Sequence, residues 1–346
     1  MQNSEPASKL SYSTDSGPGI RRRRRGRGFS YIAPNGNQIR DPKRLERIRK
    51  LAIPPAWTDV WICPSPNGHL QATGRDAKGR KQYRYHTEYR AERDETKFHR
   101  MLEFSALLPG IRHRIERDLS LDGLPRDKVL ATVVSLLEKT LIRVGNEVYA
   151  KHNRSYGLTT MRDRHVEITG DEIRFRFRGK SGVEHKVSVN DRRLAKVVQQ
   201  CQSLPGQDLF QFLDDAGKRQ DVSSSDVNEY LHRITGRAIS AKDFRTWAGT
   251  MRAAVAFRDL GVTDSQKEAN RNVLRVIDQV AQNLGNTRDV CRKYYVHPRL
   301  IERYLLGEVI PPTPPLKGPK PRRKSAMLRR DESAVLEFLD LEEQSN

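Results

Sequence analysis

Short apolar and aromatic runs separated by turn residues fill the first quarter of the chain. Residues 60–63 and 69–73 form two such runs, and the Asn-Gly pair between them is a strong signal for a β-hairpin. A short helix is predicted over 44–51, ahead of a Pro-Pro pair. The pattern over 29–90 therefore predicts a small α+β domain.

Near residue 91 the hydrophobic period becomes helical. Helices are predicted over 97–107, ending at Pro109, and over 127–149, where apolar positions recur every three or four residues. Strand-like alternation follows at 158–161, 165–169, 172–178 and 184–189. The turn residues between these segments predict a three-stranded antiparallel sheet.

After residue 191 the remaining folded chain has only helical patterns. The predicted helices are 191–202, 207–214, 224–235, 241–260, 264–284, 287–296 and 298–307. Residues 91–308 therefore predict a mainly α-helical domain that carries the small sheet. The fold class is α+β with two domains.

The net charge of the chain indicates the kind of partner that it binds. The 346 residues include 64 Lys and Arg against 43 Asp and Glu, a formal net charge of +21. Residues 1–28 lack periodicity and predict a disordered basic tail, and 309–346 predict a Pro-rich basic linker followed by an acidic stretch over 332–343. For that stretch a solvated tail is favoured over docking. Most of the excess positive charge lies between the tails, which predicts a folded body that binds nucleic acid.

Several classes of protein are disfavoured by what the sequence lacks. No apolar run approaches the roughly 18 residues of a membrane span, and the polar N-terminus does not resemble a secretory signal, so we expect no membrane association and a cytoplasmic location. Cys63, Cys201 and Cys291 are far apart, which argues against a disulfide framework and fits a reducing compartment. Neither a phosphate-binding P-loop nor a metal-ligand spacing occurs, so no cofactor and no metal are expected.

The remaining chemistry is that of a metal-free site acting on a phosphodiester. Such a site needs fixed cations on the phosphate oxygens, a nucleophile, and an acid for the leaving oxygen. Arg143, Lys180 and Arg245 lie at the edges of predicted elements, and the segment 284–298 adds polar and tyrosine side chains. Taken singly, each of these residues is more typical of an ordinary surface or packing role.

At these four segments the sequence resembles the type IB DNA topoisomerases, specifically the short form of poxviruses and bacteria. The resemblance includes the segments 53–62 and 74–86 and extends over about 29–307. It implies the catalytic fold that this family shares with the tyrosine recombinases. It also implies relaxation of positive and negative supercoils, without ATP or metal, through a transient 3′-phosphotyrosyl bond, strand rotation and religation.

The resemblance also implies a role for each candidate residue. Arg143 and Arg245 match the two arginines that clamp the scissile phosphate, and Lys180 matches the hairpin lysine that protonates the departing 5′ oxygen. Asn286 stands where poxvirus enzymes have a histidine that donates to a phosphate oxygen, and an amide can make the same hydrogen bond. Tyr295 matches the nucleophile, nine positions after Asn286.

Further residues are expected to contact double-stranded DNA. In the small domain these are Arg80, Lys81, Gln82, Tyr83 and Tyr85. In the large domain the expected contact is Lys242, which stands where tyrosine recombinases carry a histidine and so favours the topoisomerase branch. A nucleoid-associated monomer is expected to clamp the duplex between two domains joined by a hinge near 88–93. The role of Tyr294, beside the nucleophile, stays open.

Two alternative functions remain at this point. A tyrosine recombinase shares the Arg-Lys-Arg-Tyr chemistry on a similar helical domain, and a two-site strand-exchange assay would detect it. A non-catalytic DNA-binding protein would bind duplex DNA without forming an adduct that survives SDS.

Overall fold

The computed structural model describes residues 10–26, 28–77, 79–214, 216–312 and 330–340. Three predicted segments lie outside these ranges: residues 1–9 of the basic tail, the linker 313–329, and the acidic end 341–346. The chain divides into two compact units, Met1–His99 and Arg100–Asn346. The predicted α+β class, with a small N-terminal sheet and a mainly helical C-terminal part, is confirmed. Among the described residues, no helix has the length and apolarity needed to cross a membrane.

The first unit is built on a five-stranded antiparallel sheet with the order β2-β1-β3-β4-β5. Its strands are β1 Ile20–Arg25, β2 Gly28–Ile32, β3 Thr58–Ile62, β4 Leu70–Arg75 and β5 Lys81–Tyr85. Helix α1, Pro42–Lys50, begins at Asp41, whose carboxylate accepts from the backbone N–H of Lys43. The predicted hairpin is present as β3 and β4, which pair antiparallel.

Alternation along the strands gives this sheet two buried faces. Ile20, Val60, Ile62 and Ala72 pack in one core together with Ile48 of α1. Trp61 and Cys63, of the opposite parity in β3, form a second, smaller cluster with Leu70, which shares this face because the register of β4 shifts between Leu70 and Ala72. Neighbouring positions of a strand point to opposite faces of the sheet, whereas residues paired directly across two strands point to the same face.

The prediction of a disordered tail over 1–28 is wrong for its arginine run, which forms β1 in the interior of the sheet. Ile20 is fully buried at the start of the strand. The Arg22 guanidinium donates to the backbone carbonyls of Trp57, at 2.6 Å, and Pro54, at 3.1 Å. Carbonyls contributed by a distant loop satisfy the donors of this half-buried arginine, and the other four arginines of the run are exposed, so the run can form a strand of the sheet.

Helix α2, Thr87–Asp118, is longer than predicted. It includes Pro109, where the sequence predicted an end, and it covers the predicted hinge at 88–93. Proline removes one helical hydrogen bond, but its fixed φ is helical. Phe104, Leu108 and Ile111 are buried at spacings of four and three, and this continuous apolar stripe outweighs the lost bond.

The second unit surrounds one three-stranded sheet with helices. Its helices are α3 Arg126–Thr140, α4 Glu147–Asn153, α5 Arg192–Gln202, α6 Ser224–Thr235, α7 Ala241–Leu260, α8 Gln266–Leu284, α9 Arg288–Tyr294, α10 Pro298–Leu305 and α11 Arg330–Asp340. The predicted sheet is confirmed as β6 Val166–Thr169, β7 Glu172–Arg178 and β8 Glu184–Asn190, in the order β6-β7-β8. Two predictions differ: 158–161 contains the 3-10 helix Leu158–Thr160, and 207–214 is not helical but contains strand β9, Gln211–Leu213, which pairs with β10, Arg219–Asp221.

The predicted helix over 127–149 is interrupted near the candidate site. Helix α3 ends at Leu141, which takes a left-handed conformation with φ of 57°. Such a backbone is unfavourable by about 1 kcal/mol or more for a residue other than glycine, so tertiary contacts must hold it. Arg143 therefore lies in the extended segment between α3 and α4 and not at a helix end.

The acidic C-terminal stretch, predicted as solvated, is instead a docked helix over 330–340. Val335, Phe338 and Leu339 of α11 are buried, at the three- and four-residue spacing of one helix face. Glu332 is 5% exposed and accepts both hydrogen bonds of a two-point contact from Arg112, at 2.7 and 2.8 Å. The two charge-assisted hydrogen bonds from the buried Arg112 thus stabilise the acidic helix in its docked position.

Candidate active site

Two arginines are fixed in the second unit by the carboxyl ends of helices. Arg245, on α7 and 5% exposed, donates to the carbonyl of Leu141 after α3 and, at 2.6 Å, to that of Leu284, the last residue of α8. Arg143 donates to the carbonyl of Gly285 at 2.9 Å. Helix C-termini expose carbonyls and carry partial negative charge, which suits guanidinium groups.

These contacts leave the positive charge of the arginines uncompensated. In the described part of the chain neither Arg143 nor Arg245 pairs with a carboxylate. Burial, and then the like charge of Arg245, lower the pKa of Arg143 to about 10. Burial also lowers the pKa of Arg245. Both groups remain charged at neutral pH, so the site is prepared to receive an anion.

Asn286 joins this pair. Its side-chain oxygen accepts from Arg143 at 2.5 Å, which turns the amide NH2 group away from that guanidinium. That amide nitrogen and the Nε of Arg245 are both buried, and neither has a hydrogen-bond partner among the described residues. Buried donors are ordinarily satisfied, so two unsatisfied donors in one site indicate an acceptor that is bound during function.

Tyr295 lies at the end of α9 beside the same arginine. Its ring centroid is 5.5 Å from the Arg245 guanidinium carbon, and both Arg143 and Arg245 are close enough for their charges to act on its hydroxyl. Helix α7 approaches the tyrosine backbone so closely that a Cβ built on Gly249 would lie 2.3 Å from the Tyr295 carbonyl oxygen. Tyr294 is 37% exposed and lies beside Lys293 instead.

Lys180 begins the tight connection between β7 and β8. The connection is a 3-10 turn, Lys180–Gly182, in which Ser181 has a φ of 65°. Gly179 donates to the carbonyl of Val183 at 2.8 Å and closes the hairpin. The lysine side chain is exposed, and no hydrogen bond or ion pair to it is found within the described ranges. Four of the predicted residues therefore meet at one point, and the fifth is carried on an adjoining hairpin.

His185 is part of this region and is not among the residues singled out from the sequence. On β8 it faces inward with Val187, and its ring stacks on Phe177 with centroids 5.0 Å apart. Burial first, and then the charges of Arg143 and Arg245, lower its pKa. The sequence signal that could have identified His185 is its position in an alternating strand, where it occupies the same face as the inward-facing valines.

Lys242 is exposed near the start of α7, about one turn before Arg245. In the first unit the predicted contact residues of β5 are divided between two faces. Lys81, Tyr83 and Tyr85 share one face, with the two tyrosine rings stacked at 6.0 Å, and Tyr83 is 44% exposed. Gln82 points to the opposite face and donates to Asp76 at 2.9 Å.

Two charged groups of this strand region already have internal partners. Arg80 pairs with Asp76 at 2.7 Å, and Lys81 pairs with Asp15 at 2.6 Å. These pairs lie at the surface, where an ion pair contributes about 1 kcal/mol or less. A phosphate could therefore exchange with either carboxylate at small cost.

Comparison with known proteins identifies the family. Residues 86–305 match the family described as eukaryotic DNA topoisomerase I, catalytic core, and residues 28–76 match the bacterial DNA topoisomerase IB N-terminal domain. The DNA topoisomerase 1B of Acanthamoeba polyphaga mimivirus is 32% identical over 293 residues, which cover 83% of this chain and 87% of that protein. The chain belongs to the type IB DNA topoisomerase family. It is thus an enzyme that relaxes DNA supercoils through transient single-strand cleavage and a 3′-phosphotyrosyl intermediate.

A more distant relative agrees with the assignment to this family, and one solved structure overlaps the chain only loosely. The DNA topoisomerase 1B of vaccinia virus, strain Western Reserve, is 25% identical over 275 residues, covering 76% of this chain and 82% of its own. A solved complex of the XerH site-specific recombinase with its difH substrate overlaps 57% of this chain and 51% of its own, with TM-score 0.35 and 12% identity. That overlap is too loose to bear on the topoisomerase fold.

Proposed function

We propose that the type IB reaction takes place where Arg143, Arg245, Asn286 and Tyr295 meet, with these residues in the catalytic roles. The observation that carries the proposal is the pair of buried, unsatisfied donors, Arg245 Nε and Asn286 Nδ2, beside two guanidinium groups without a carboxylate. A phosphodiester supplies what this arrangement lacks, namely oxygens that accept hydrogen bonds and a negative charge.

In the proposed cleavage step the Tyr295 hydroxyl oxygen attacks the scissile phosphorus. A bond forms between that oxygen and phosphorus, and the bond from phosphorus to the 5′ oxygen breaks. The phenol releases its proton to water, and the 5′ oxygen takes one from the Lys180 ammonium, which water then reprotonates, so the numbers of protons and bonds balance. Arg143, Arg245 and Asn286 stabilise the charge on the phosphate oxygens in the transition state, where such donors contribute most.

Religation is the reverse of cleavage. Because one phosphoester replaces another, the bond energy is largely retained and the 5′ hydroxyl can attack the phosphotyrosyl bond without nucleotide hydrolysis. While the strand is open its free end rotates, and supercoils of either sign relax.

The first unit contributes further contacts in this proposal. The face of β5 that carries Lys81, Tyr83 and Tyr85 offers one cation for the DNA backbone and ring edges for sugars and bases. Gln82 and Arg80 reach the duplex after exchanging Asp76 for a DNA group. Lys242 adds a phosphate contact near the site, and the enzyme acts as a nucleoid-associated monomer in the cytoplasm that contacts the duplex with both units.

The decisive experiment is relaxation of a supercoiled plasmid in EDTA without nucleotide. The wild type and Tyr294→Phe are expected to relax the plasmid and to form an SDS-stable adduct. Tyr295→Phe is expected to lose both activities, because it removes the hydroxyl that attacks phosphorus while it keeps the ring that lies beside Arg245. Loss in Tyr294→Phe with retention in Tyr295→Phe would refute the assignment of the nucleophile.

A further inference from the structure

The ring of His185 fills a narrow space between two glycines. A Cβ built on Gly179 would lie 2.5 Å from Cδ2 of this ring, and a Cβ built on Gly285 would lie 2.6 Å from Cε1. Neither position can therefore carry a side chain while the ring stays in place. Phe177 packs along the ring with an angle of 12° between the two planes. The imidazole is in contact with three separate backbone or ring surfaces.

The two glycines directly precede two of the proposed catalytic side chains. Gly179 is followed by Lys180 at the turn of the hairpin, and Gly285 is followed by Asn286 after α8. Gly285 itself has a φ of 58° and gives its carbonyl to Arg143. The His185 ring thus lies between the segment that carries the proposed acid, Lys180, and the segment that carries the phosphate-binding amide, Asn286.

We propose that His185 is a positioning residue that sets the placement of Lys180 and Asn286 through these two glycine contacts. The inference rests on the function proposed above for those two side chains. It assigns His185 no contact with the reacting atoms and no proton transfer. What it contributes is a flat, rigid ring that fits against two Cα atoms, where an aliphatic side chain would leave a gap or collide.

Lys180 depends on this ring more than the other site residues do. Arg143 and Arg245 are anchored by helix carbonyls, and Tyr295 is anchored by α7. The exposed lysine has no such anchor in the described chain, and its hairpin backbone rests on His185 through Gly179. Removing the ring should therefore impair protonation of the leaving group before it impairs phosphate binding.

This difference can be measured with two leaving groups. Single-turnover cleavage is compared for a duplex with the normal 5′ oxygen and one with sulfur at that position, because a thiolate departs without a proton. His185→Ala is expected to slow cleavage of the oxygen substrate about 10²-fold, the scale of a 1 Å misplacement. The sulfur substrate should recover most of that loss, as it should for Lys180→Ala.

Two further variants separate positioning from general damage. His185→Phe keeps a flat ring on Phe177 and should hold the sulfur-to-oxygen rate ratio close to that of the wild type. His165→Ala removes another buried histidine, whose ring packs against Tyr156 with centroids 4.4 Å apart, and should leave the ratio unchanged even if stability falls.

The proposal is overturned if His185→Ala slows both substrates equally, or slows neither, or if His185→Phe shows the ratio of His185→Ala. Equal slowing would mean that the ring is needed only for folding. Failure of the proposed function is a separate result, because the wild type would then form no adduct with either substrate.

Discussion

Gly249 offers the most direct test of how helix α7 positions the nucleophile. A methyl group at this position, in Gly249→Ala, would lie 2.3 Å from the Tyr295 carbonyl oxygen and 3.0 Å from its Cβ. Ordinary contacts begin near 3.4 Å, so one of the two backbones must move by about 1 Å. Gly249 lies inside the 20-residue helix α7, whereas Tyr295 follows the end of the short helix α9, so the displacement is expected to fall on the tyrosine segment. It would strain the two hydrogen bonds of Thr250 there, to the Tyr295 carbonyl at 3.4 Å and from the N–H of His297 at 3.1 Å.

Two opposing effects determine the stability of Gly249→Ala. Alanine is favoured over glycine inside a helix by about 1 kcal/mol. Overpacking against backbone costs about 1–3 kcal/mol. The net loss of unfolding free energy is therefore expected to be small, about 0–2 kcal/mol. A displacement of this size at a reacting group lowers the rate of adduct formation by about 10²-fold, so activity should fall far more than stability.

The assay is single-turnover formation of the SDS-stable adduct, measured together with thermal unfolding of the same preparations. Gly110→Ala is the matched control, because Gly110 lies inside α2 and a Cβ built there meets no atom within 4 Å. That control should gain up to about 1 kcal/mol and keep the wild-type adduct rate. A wild-type adduct rate in Gly249→Ala would refute the role given to this close approach.

The remaining predictions concern stability. Glu332→Ala removes one of the carboxylates that pair with the buried Arg112, and loss of one partner of a buried pair costs about 3–5 kcal/mol; a denaturant midpoint equal to that of the wild type would contradict the docking of α11. Acidification is expected to destabilise the protein below about pH 6.5, because burial lowers the pKa of both His165 and His185 and the unfolded chain then binds protons more readily. Denaturant unfolding at a series of pH values should show this loss, and His185→Phe should reduce its slope.

Local sequence patterns were sufficient to predict a helix or strand wherever that element buries one of its own faces. Strands β6, β7 and β8 were predicted nearly to the residue, because inward and outward positions alternate and glycine turns separate them. Helices α7 and α8 followed from apolar positions at helical spacing, and the structure adds that each has a serine at its N-cap. The family and the five candidate catalytic residues followed from the order of short motifs along the chain.

Charged segments required the tertiary structure. An arginine run and an acidic stretch look solvated in isolation, since nothing nearby in sequence satisfies their charges. Their partners are distant: Arg22 donates to carbonyls 32 and 35 positions away, and Glu332 accepts from a residue 220 positions away. The same holds for Leu141, whose left-handed backbone ends α3 and whose carbonyl accepts from Arg245, 104 positions away.

The sequence by itself predicted which residues are candidates for the site and which elements carry most of them. The tertiary structure alone decided that Arg143, Arg245, Asn286 and Tyr295 meet, and that a histidine ring lies between the glycines that precede Lys180 and Asn286. The physical reason is that periodicity records how a segment meets solvent, whereas a site is made of contacts between segments far apart in the chain.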